Sequence, residues 1–151
     1  MIKTHKLISS CFGIGYLKGG GTFAALACCT CWYFLSKYNH SNNIWLSVST
    51  IIITGIGIWA AGKVDAEWGK DSSRVVIDEV AGMCVGLLFL PAQLKYIVAS
   101  FILFRFFDIT KPLFIRCLEK LPLGWGVMAD DLLAGIYTNL IMQIIVFSNL
   151  F

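Results

Sequence analysis

Residues 44–61, IWLSVSTIIITGIGIWAA, decide the fold class because the whole stretch is free of charged side chains. As an α-helix it would rise about 27 Å, close to the ~30 Å hydrocarbon core of a bilayer. The composition agrees, since 58% of the 151 residues are hydrophobic, 14% are charged and the mean hydropathy is +0.76. A soluble domain has about 45–50% apolar and about 25% charged residues. The sequence therefore predicts an integral membrane protein.

Four further apolar stretches accompany this span, at residues 22–35, 75–90, 96–107 and 132–151. A crossing helix needs about 20 apolar residues, so stretches 22–35 and 96–107 are short and could lie partly in the interface. We expect an all-α integral membrane bundle of about four or five spans with short cytosolic helices, one of them within residues 113–121. The chain, 1–151, is expected to be a single membrane-embedded domain. Its start has no sustained apolar core, so no cleavable signal peptide is expected.

The basic residues are distributed unevenly between the two ends of the spans. If the N-terminus is cytosolic and each stretch crosses once, only Lys37 and Lys95 fall on the far side. The remaining basic residues fall on or near the cytosolic side, as the positive-inside rule expects. All acidic residues also lie at or near this side. Because acidic residues contribute little to orientation, their clustering needs a separate explanation.

Composition and cysteine spacing argue against two kinds of partner. The net charge of +3 is small, and no basic run interleaved with aromatic residues suggests nucleic acid. A zinc site is not expected, because no Cys-x-x-Cys pair accompanies a histidine cluster. We expect the six cysteines to be free thiols that serve as small apolar packing groups.

Five acidic residues stand at the ends of the apolar stretches or slightly inside them. They are Asp78 and Glu79 in RVVIDEVAG, Asp108 in FRFFDITKP, and Asp130 and Asp131 in GWGVMADDLLAG. A carboxylate at membrane depth costs about 2.5–3.5 kcal/mol, and several at one depth repel one another unless a cation lies among them. Oxygen ligands without a nearby Cys or His pattern suit Mg²⁺. The pattern therefore predicts a Mg²⁺ site.

Basic residues and glycines accompany these acids. Arg105 precedes Asp108 by three positions and Lys111 follows it by three, so a continuing helix would place all three on one face. Arginine and lysine side chains are suited to bind a phosphate group. The triple glycine at 19–21 precedes Thr22 and opens the first apolar stretch, where a helix N-terminus would offer free N–H groups to an anion.

Each of these features also has a structural interpretation. The trio at positions 105, 108 and 111 could be an ion pair at a helix end, the two adjacent aspartates could cap a helix, and the triple glycine could be a flexible turn. Charges that alternate in sign over 63–70 favour a solvated helix extension. Three acidic sites on one face nevertheless favour a metal-dependent site for a phosphorylated membrane substrate. The alternatives are a small ion- or proton-coupled transporter, which would place its acids near mid-span, and a non-catalytic membrane scaffold.

Four motifs together are more specific than any one of them. They are GGGTFAAL at 19–26, VIDEVAGM at 76–83, FRFFDITKP at 104–112 and GWGVMADDLLAG at 124–135. In this order and at these separations they resemble the phosphatidylglycerophosphatase A family, over roughly residues 13–141. The resemblance implies an all-helical membrane enzyme that uses Mg²⁺ to remove the terminal phosphate of phosphatidylglycerophosphate, giving phosphatidylglycerol, at the cytosolic face of a bacterial inner membrane.

The resemblance also assigns roles to residues. The metal-binding acids are Asp78, Glu79, Asp108, Asp130 and Asp131, of which Asp78, Asp108 and Asp131 are also the expected catalytic residues. The phosphate-facing residues are Thr22, Arg105 and Lys111. The attacking group could be a water or an aspartate carboxylate, and five acids could serve one ion or two.

The chain departs from the family's pattern in the N-terminal loop, which usually reads close to PGTxGS. Gly20 stands where the proline is expected, and Ala24 and Ala25 stand where the glycine and serine are expected. Any role of that serine hydroxyl is therefore lost or passes to Thr22. Asp71 stands where the family often has an acidic residue or histidine.

Overall fold

The computed structural model describes residues 3–38, 43–69 and 72–148, and within them the chain is helical with no strand. The helices are α1 (Thr4–Ser9), α2 (Gly20–Tyr38), α3 (Asn43–Trp68), α4 (Ile77–Leu87), α5 (Leu94–Thr110), α6 (Ile115–Leu118) and α7 (Gly124–Phe147), with a 3-10 turn at Ile14–Tyr16. The all-α prediction is confirmed, and α6 is the short helix expected within 113–121. Asp71 lies outside the described residues.

Helices α3 and α7 are long and apolar enough to cross a membrane, as judged over the described residues. Only 22% and 33% of their most apolar windows are buried in the molecule, whereas the core helix of a soluble protein is mostly buried. Ile51 is 71% exposed on α3, and Ile144 is 65% exposed on α7. Side chains this apolar need a solvent of similar character. These outward faces indicate a membrane protein, whereas the count of four or five spans stays a prediction.

The core of the bundle is the packing of α4 against α7, where both helices carry glycine. A Cβ atom on Gly82 would overlap the backbone carbonyl of Asp131, and one on Gly135 would overlap the carbonyl of Gly82. Small residues of this kind let two backbones approach closely in membrane helices. Around this contact lie fully buried side chains such as Met83 and Phe104. The close approach fixes the start of α4 beside the second turn of α7.

Helix α4 is short and ends inside the bundle. Its 11 residues rise about 16 Å, roughly half the thickness of a hydrocarbon core. Asn139 donates from Nδ2 to the carbonyl of Gly86 at 3.2 Å and to that of Leu88 at 2.8 Å, and Gln143 donates to Leu88 at 3.2 Å. Backbone carbonyls at membrane depth need such partners, because no bulk water reaches them. Two polar side chains of α7 therefore cap the end of α4.

Two helices extend beyond the stretches expected from hydropathy. Helix α3 continues to Trp68, as the alternating charges favoured, and Glu67 near its end forms salt bridges of 2.7 Å with Lys3 and with Lys6. Helix α7 begins at Gly124, eight residues before the expected apolar stretch. A Cβ on Gly124 would overlap the carbonyl of Ile58, so this glycine marks a close contact with α3 and not a loop.

The six cysteines are free thiols, as expected. Cys28 on α2 and Cys84 on α4 face each other in the core with their Sγ atoms 3.4 Å apart. Cys29 is also buried, in the same cluster of apolar side chains. These thiols serve as small packing groups between α2 and α4.

Candidate active site

Three carboxylates converge where α4 begins. Asp78 and Glu79 lie in the first turn of α4, and Asp131 lies in the second turn of α7. Each offers one carboxylate oxygen such that all three oxygens lie within 4.8 Å of one another. Asp78 and Asp131 are buried, with 8% and 3% of their surface exposed, and Glu79 is half-buried. Three carboxylates this close in a buried place are ionised together only where a positive charge compensates them.

Local sequence explains why these acids can approach one another. The first turn of α4 is the positive end of that helix, which stabilises carboxylates. On the other side, the backbone at Gly21 lies against the carboxylate of Glu79, and a Cβ there would overlap that carboxylate and displace it from its present position. Part of the triple glycine therefore has a packing role. The flexible-turn interpretation does not account for this contact.

Asp108 lies beside the cluster and is paired with a basic residue of its own helix. Arg105 donates from its guanidinium to the carboxylate of Asp108, one turn further along α5. Their side chains are 19% and 14% exposed, so the pair is mostly shielded from solvent. Asp108 is outside the group of three converging carboxylates. The contact with Asp108 orients the guanidinium group of Arg105 and partly neutralises its charge.

Lys111 is separated from Arg105 and Asp108 by the end of the helix. Helix α5 ends at Thr110, and Lys111 adopts the left-handed conformation, with φ of 45°. The proline that follows disfavours the helical conformation at this position. The helix therefore ends just before Lys111, and the face that a continuing helix would give to Arg105, Asp108 and Lys111 is not formed.

Lys111 instead contacts acids from two other segments. Its Nζ donates to Asp130 at 2.7 Å and to Glu119 at 2.6 Å. Burial by itself would lower the pKa of Lys111, but the hydrogen bonds to Asp130 and Glu119 hold that pKa above its usual value. Lys111 is thus a permanent cation. Asp130 lies inside α7, seventh from its start, so the alternative that it caps a helix N-terminus is wrong.

A pocket of about 320 Å³ opens beside the acid cluster, at the start of α2. Its lining residues come from three parts of the chain, and they are Leu17, Lys18, residues 19–21, Thr22, Ser73, Glu79 and Arg105. Two of the three residues expected to face a phosphate, Thr22 and Arg105, line this pocket. Lys111, the third, does not line it. Asp78 and Asp131 do not line it either, but each has a carboxylate oxygen within 4.8 Å of one of Glu79, which does.

The pocket combines several groups that bind anions. Lys18 and Arg105 supply positive charge, and Thr22 and Ser73 supply hydroxyl groups. Gly21 and Thr22 are in the first turn of α2, where backbone N–H groups have no partner within the helix. A helix N-terminus with basic residues nearby is a common site for phosphate. The arrangement places an anion site against a carboxylate cluster, which is the arrangement a metal-assisted phosphatase needs.

Two unpaired carboxylate oxygens of the candidate ligands support the presence of a cation. The Oε2 atom of Glu79 and the Oδ1 atom of Asp130 are buried and have no hydrogen-bond partner in the described part of the chain. Unpaired buried carboxylate oxygens are costly unless they bind a cation. The donors are oxygen atoms without sulfur or nitrogen, which suits Mg²⁺ better than zinc or copper.

Three residues of the site were not identified from the sequence. Lys18 and Ser73 line the pocket, and Glu119 binds Lys111. Lys18 directly precedes the triple glycine, so its position beside a possible anion-binding turn could have identified it as a site residue from the sequence. Ser73 and Glu119 lie in connecting segments whose path depends on tertiary packing, and the sequence carries no comparable signal for them.

A helical fold with apolar outer faces, three converging carboxylates and a basic pocket at one end of its helices favours an enzyme that acts on a phosphorylated substrate at a membrane. Comparison with known proteins supplies the family. The profile of the phosphatidylglycerophosphatase A family matches residues 7–146, and the chain belongs to this family. It is therefore a phosphatase enzyme, and the transporter and scaffold alternatives are set aside.

Three curated relatives carry names that bear on the substrate. A Bacteroides thetaiotaomicron protein, named provisionally as a phosphatidylinositol-3-phosphatase, is 40% identical over 146 residues, covering 91% of each chain. The phosphatidylglycerophosphatase A of Escherichia coli strain K12 is 30% identical over 130 residues, covering 83% of this chain and 73% of its own. That of Haemophilus influenzae is 41% identical over 90 residues, covering 58% and 55%. No solved structure matches this chain.

Proposed function

We propose that this protein hydrolyses the terminal phosphate monoester of phosphatidylglycerophosphate to give phosphatidylglycerol and inorganic phosphate, with Mg²⁺ as its cofactor. The observation that carries the proposal is the position of the carboxylate cluster of Asp78, Glu79 and Asp131 beside a basic, glycine-rich pocket that Glu79 itself lines. The family and the names of two relatives support the substrate. In the reaction the ester P–O bond breaks, the oxygen of water joins phosphorus, and the glycerol oxygen leaves with a proton.

The three converging carboxylates would hold the ion. Asp78, Glu79 and Asp131 provide the oxygen donors, and Asp108 and Asp130 remain candidate ligands close by. When bound, Mg²⁺ would neutralise charge on the phosphate and act as a Lewis acid. Asp130 accepts a hydrogen bond from Lys111 through Oδ2, whereas its buried Oδ1 atom has no hydrogen-bond partner and would be the atom offered to the ion.

The chain's own groups would bind and orient the phosphate. Arg105 presents a guanidinium fixed by Asp108, Lys18 adds a second positive charge, and Thr22 offers a hydroxyl group and a helix N-terminal N–H. Groups fixed in advance around a transferring phosphoryl group stabilise its charge without reorganisation, and most of the catalysis of phosphoryl transfer arises in this way. Asp78, Asp108 and Asp131 are the proposed catalytic acids.

We place the site at the cytosolic face of a bacterial inner membrane, in a multi-pass protein. The unequal distribution of basic residues supports this orientation. A lipid phosphate lies at the bilayer surface, so a site at the ends of the helices meets it without removing the lipid from the membrane. Nothing in this geometry requires nucleic acid as a partner.

A second substrate has support from one observation. The Bacteroides thetaiotaomicron relative, which matches nearly the whole chain, carries the name of a phosphatidylinositol-3-phosphatase. Both substrates are phosphate monoesters on the headgroup of a diacyl lipid, so the same carboxylates and anion pocket would serve either one. The ratio of the two activities in the purified protein distinguishes the alternatives.

The test is phosphate release by the full chain in detergent micelles, with each lipid, in Mg²⁺ and in EDTA. We expect release from phosphatidylglycerophosphate that EDTA abolishes. Asp131→Asn should reduce the rate by about a hundredfold or more, because it removes a charged group from the site. Glu67→Gln is the matched control, since it changes a carboxylate that pairs with Lys3 and Lys6 away from the site. A folded protein that releases no phosphate from this lipid would contradict the proposal.

A further inference from the structure

An apolar groove of about 310 Å³ lies between α2 and α5. Each helix contributes four residues, among them Leu26, Cys29 and Tyr33 on α2, and Ile97, Val98 and Phe101 on α5. Cys29 and Ile97 are buried and form its floor, whereas Leu26 and Val98 are about half exposed at its rim. The groove is therefore open along the outer surface of the bundle.

Apart from the hydroxyl groups of Thr30 and Tyr33 and the thiol of Cys29, the side chains that line the groove are hydrocarbon. The hydroxyl of Thr30 donates to the carbonyl of Leu26 at 2.9 Å, within the same helix. A groove with this lining favours a hydrocarbon occupant. It faces the same surroundings as the exposed apolar side chains of α3 and α7.

The groove begins one helical turn from the anion pocket on both α2 and α5. On α2, Thr22 lines the pocket, and Leu26 and Tyr33, which follow at helical spacing on the same face, line the groove. On α5, Arg105 lines the pocket, and Phe101 precedes it by one turn and lines the groove. The two helices run in opposite directions. On both of them, the residues that line the groove therefore lead away from the anion pocket towards the far side of the bundle.

The length of this path fits half of a bilayer. From Thr22 to Tyr33 a helix rises about 16 Å, and one leaflet contributes about 15 Å of hydrocarbon. A lipid whose headgroup phosphate lies in the pocket would thus have a chain-length channel beneath that phosphate. This length suits a single acyl chain.

We propose that this groove binds one acyl chain of the lipid substrate and so positions the headgroup phosphate in the pocket. The inference rests on the proposed function for the identity of the headgroup. Surrounding lipid tails are as apolar as the groove, so binding of the acyl chain in the groove adds little affinity for the substrate. Its main effect is to orient the substrate. Holding a reacting group in a fixed orientation raises the rate of its reaction. The groove would make catalysis depend on the presence of a long chain.

The first experiment compares two substitutions on opposite faces of α2. Leu26→Trp fills the rim of the groove, whereas Leu35→Trp adds the same bulk to an exposed leucine that does not line it. The substrates are a long-chain phosphatidylglycerophosphate in mixed micelles and a short-chain, water-soluble analogue. We expect Leu26→Trp to lower kcat/KM for the long-chain lipid by about tenfold, which corresponds to about 1.4 kcal/mol. The value for the short-chain lipid should change less than twofold, and Leu35→Trp should affect neither.

Two outcomes of this comparison would overturn the proposal. One is an equal loss for long and short chains in Leu26→Trp, which would indicate a general disturbance of the site. The other is an equal effect of the two tryptophan variants on the long-chain lipid. Val98→Trp, on the opposite rim, repeats the test should Leu26→Trp fail to fold.

A second measurement does not depend on turnover. Phosphatidylglycerophosphate with a photoactivatable group in one chain is incubated with the wild-type protein in EDTA, irradiated and mapped by mass spectrometry. Labelling concentrated on α2 and α5 at the groove, and stronger than with a phosphatidylcholine carrying the same chain, supports the inference. Equal labelling around the bundle overturns it. Groove labelling without any phosphate release in Mg²⁺ would contradict the proposed function alone.

Discussion

Lys111 shows how one residue at the end of a helix connects three segments. Its left-handed conformation directs its side chain away from α5, towards Asp130 on α7 and Glu119 after α6. The side chain of Asp130 is 5% exposed, so the ammonium group offsets a carboxylate that has almost no access to water. Removal of one partner of such a pair leaves a buried charge unmatched.

We expect Lys111→Met to destabilise the protein by about 1–3 kcal/mol, since it leaves Asp130 without its partner. The measurement is the unfolding midpoint in detergent. Glu119→Gln is the control, and it should cost less than about 1 kcal/mol because Glu119 is more exposed. The double variant Lys111→Met, Asp130→Leu should recover part of the loss. A Lys111→Met protein as stable as wild type, with only a higher KM, would instead assign Lys111 to the phosphate.

For single residues, the sequence identified the acidic residues of the site more successfully than it identified the side chains that contact them. Asp78 and Glu79 stood out because apolar residues surround them, and the structure brings both together with Asp131. The partner of Asp130 could not be predicted, because it depends on the turn that ends α5. That turn follows from the proline after Lys111, but the direction in which it sends the lysine is set by tertiary packing.

Helices α4 and α7 depend on glycine at the point where they cross. The added Cβ at Gly82 would meet both the Asp131 carbonyl and the ring of Phe104, whose Cε2 would lie 2.7 Å away. Since Asp78 lies one turn before Gly82 and Asp131 is the residue it contacts, the same crossing sets the separation of the carboxylates. A shift of α4 relative to α7 would therefore change the distances between the carboxylates of the site.

Gly82→Ala should separate α4 from α7, lower phosphatase activity by more than tenfold and destabilise the fold by about 1–3 kcal/mol. Gly55→Ala on α3 is a matched control, because an added Cβ there meets open space. This control should be neutral or more stable by up to about 1 kcal/mol, since alanine favours the helix. Activity and unfolding midpoints of both variants provide the check. Equal behaviour of the two would show that the crossing tolerates a methyl group.

The existence of each long helix was predictable from hydropathy, whereas several ends were not. Gly124 and Gly126 suggested a loop, but they lie in the first turn of α7. A glycine that allows close packing and a glycine that breaks a helix look the same in one sequence. The polar side chains of Asn139 and Gln143 likewise reveal their capping role only when the end of α4 is known.

Over the whole molecule, burial of the acid cluster makes stability depend on the proposed ion. Asp78, Glu79 and Asp131 repel one another in the folded state and are far apart in the unfolded chain. A ligand that binds only the folded state stabilises it by about 2.7 kcal/mol at one hundred times its dissociation constant.

We expect Mg²⁺ to raise the unfolding temperature of the wild-type protein by several degrees, in proportion to that stabilisation. The measurement is thermal unfolding in detergent with Mg²⁺ or EDTA, which requires no substrate. Asp131→Asn should show a smaller increase because it removes one donor and relieves part of the repulsion. Glu67→Gln should respond as wild type does. An unfolding temperature independent of Mg²⁺ in the wild type would count against the site.

The short helix α4 also determines how the chain is threaded through the bilayer. The turn after α4 is held at the level of Gln143, four residues or about 6 Å before α7 ends at Phe147. Helix α5 then returns to the side from which α4 entered, since Asp78 and Asp108 lie at the same end. The two helices form a hairpin, which adds two membrane passages if its tip reaches the far side and none if it does not. In either case Asp78 and Asp108 lie at the same end of the hairpin.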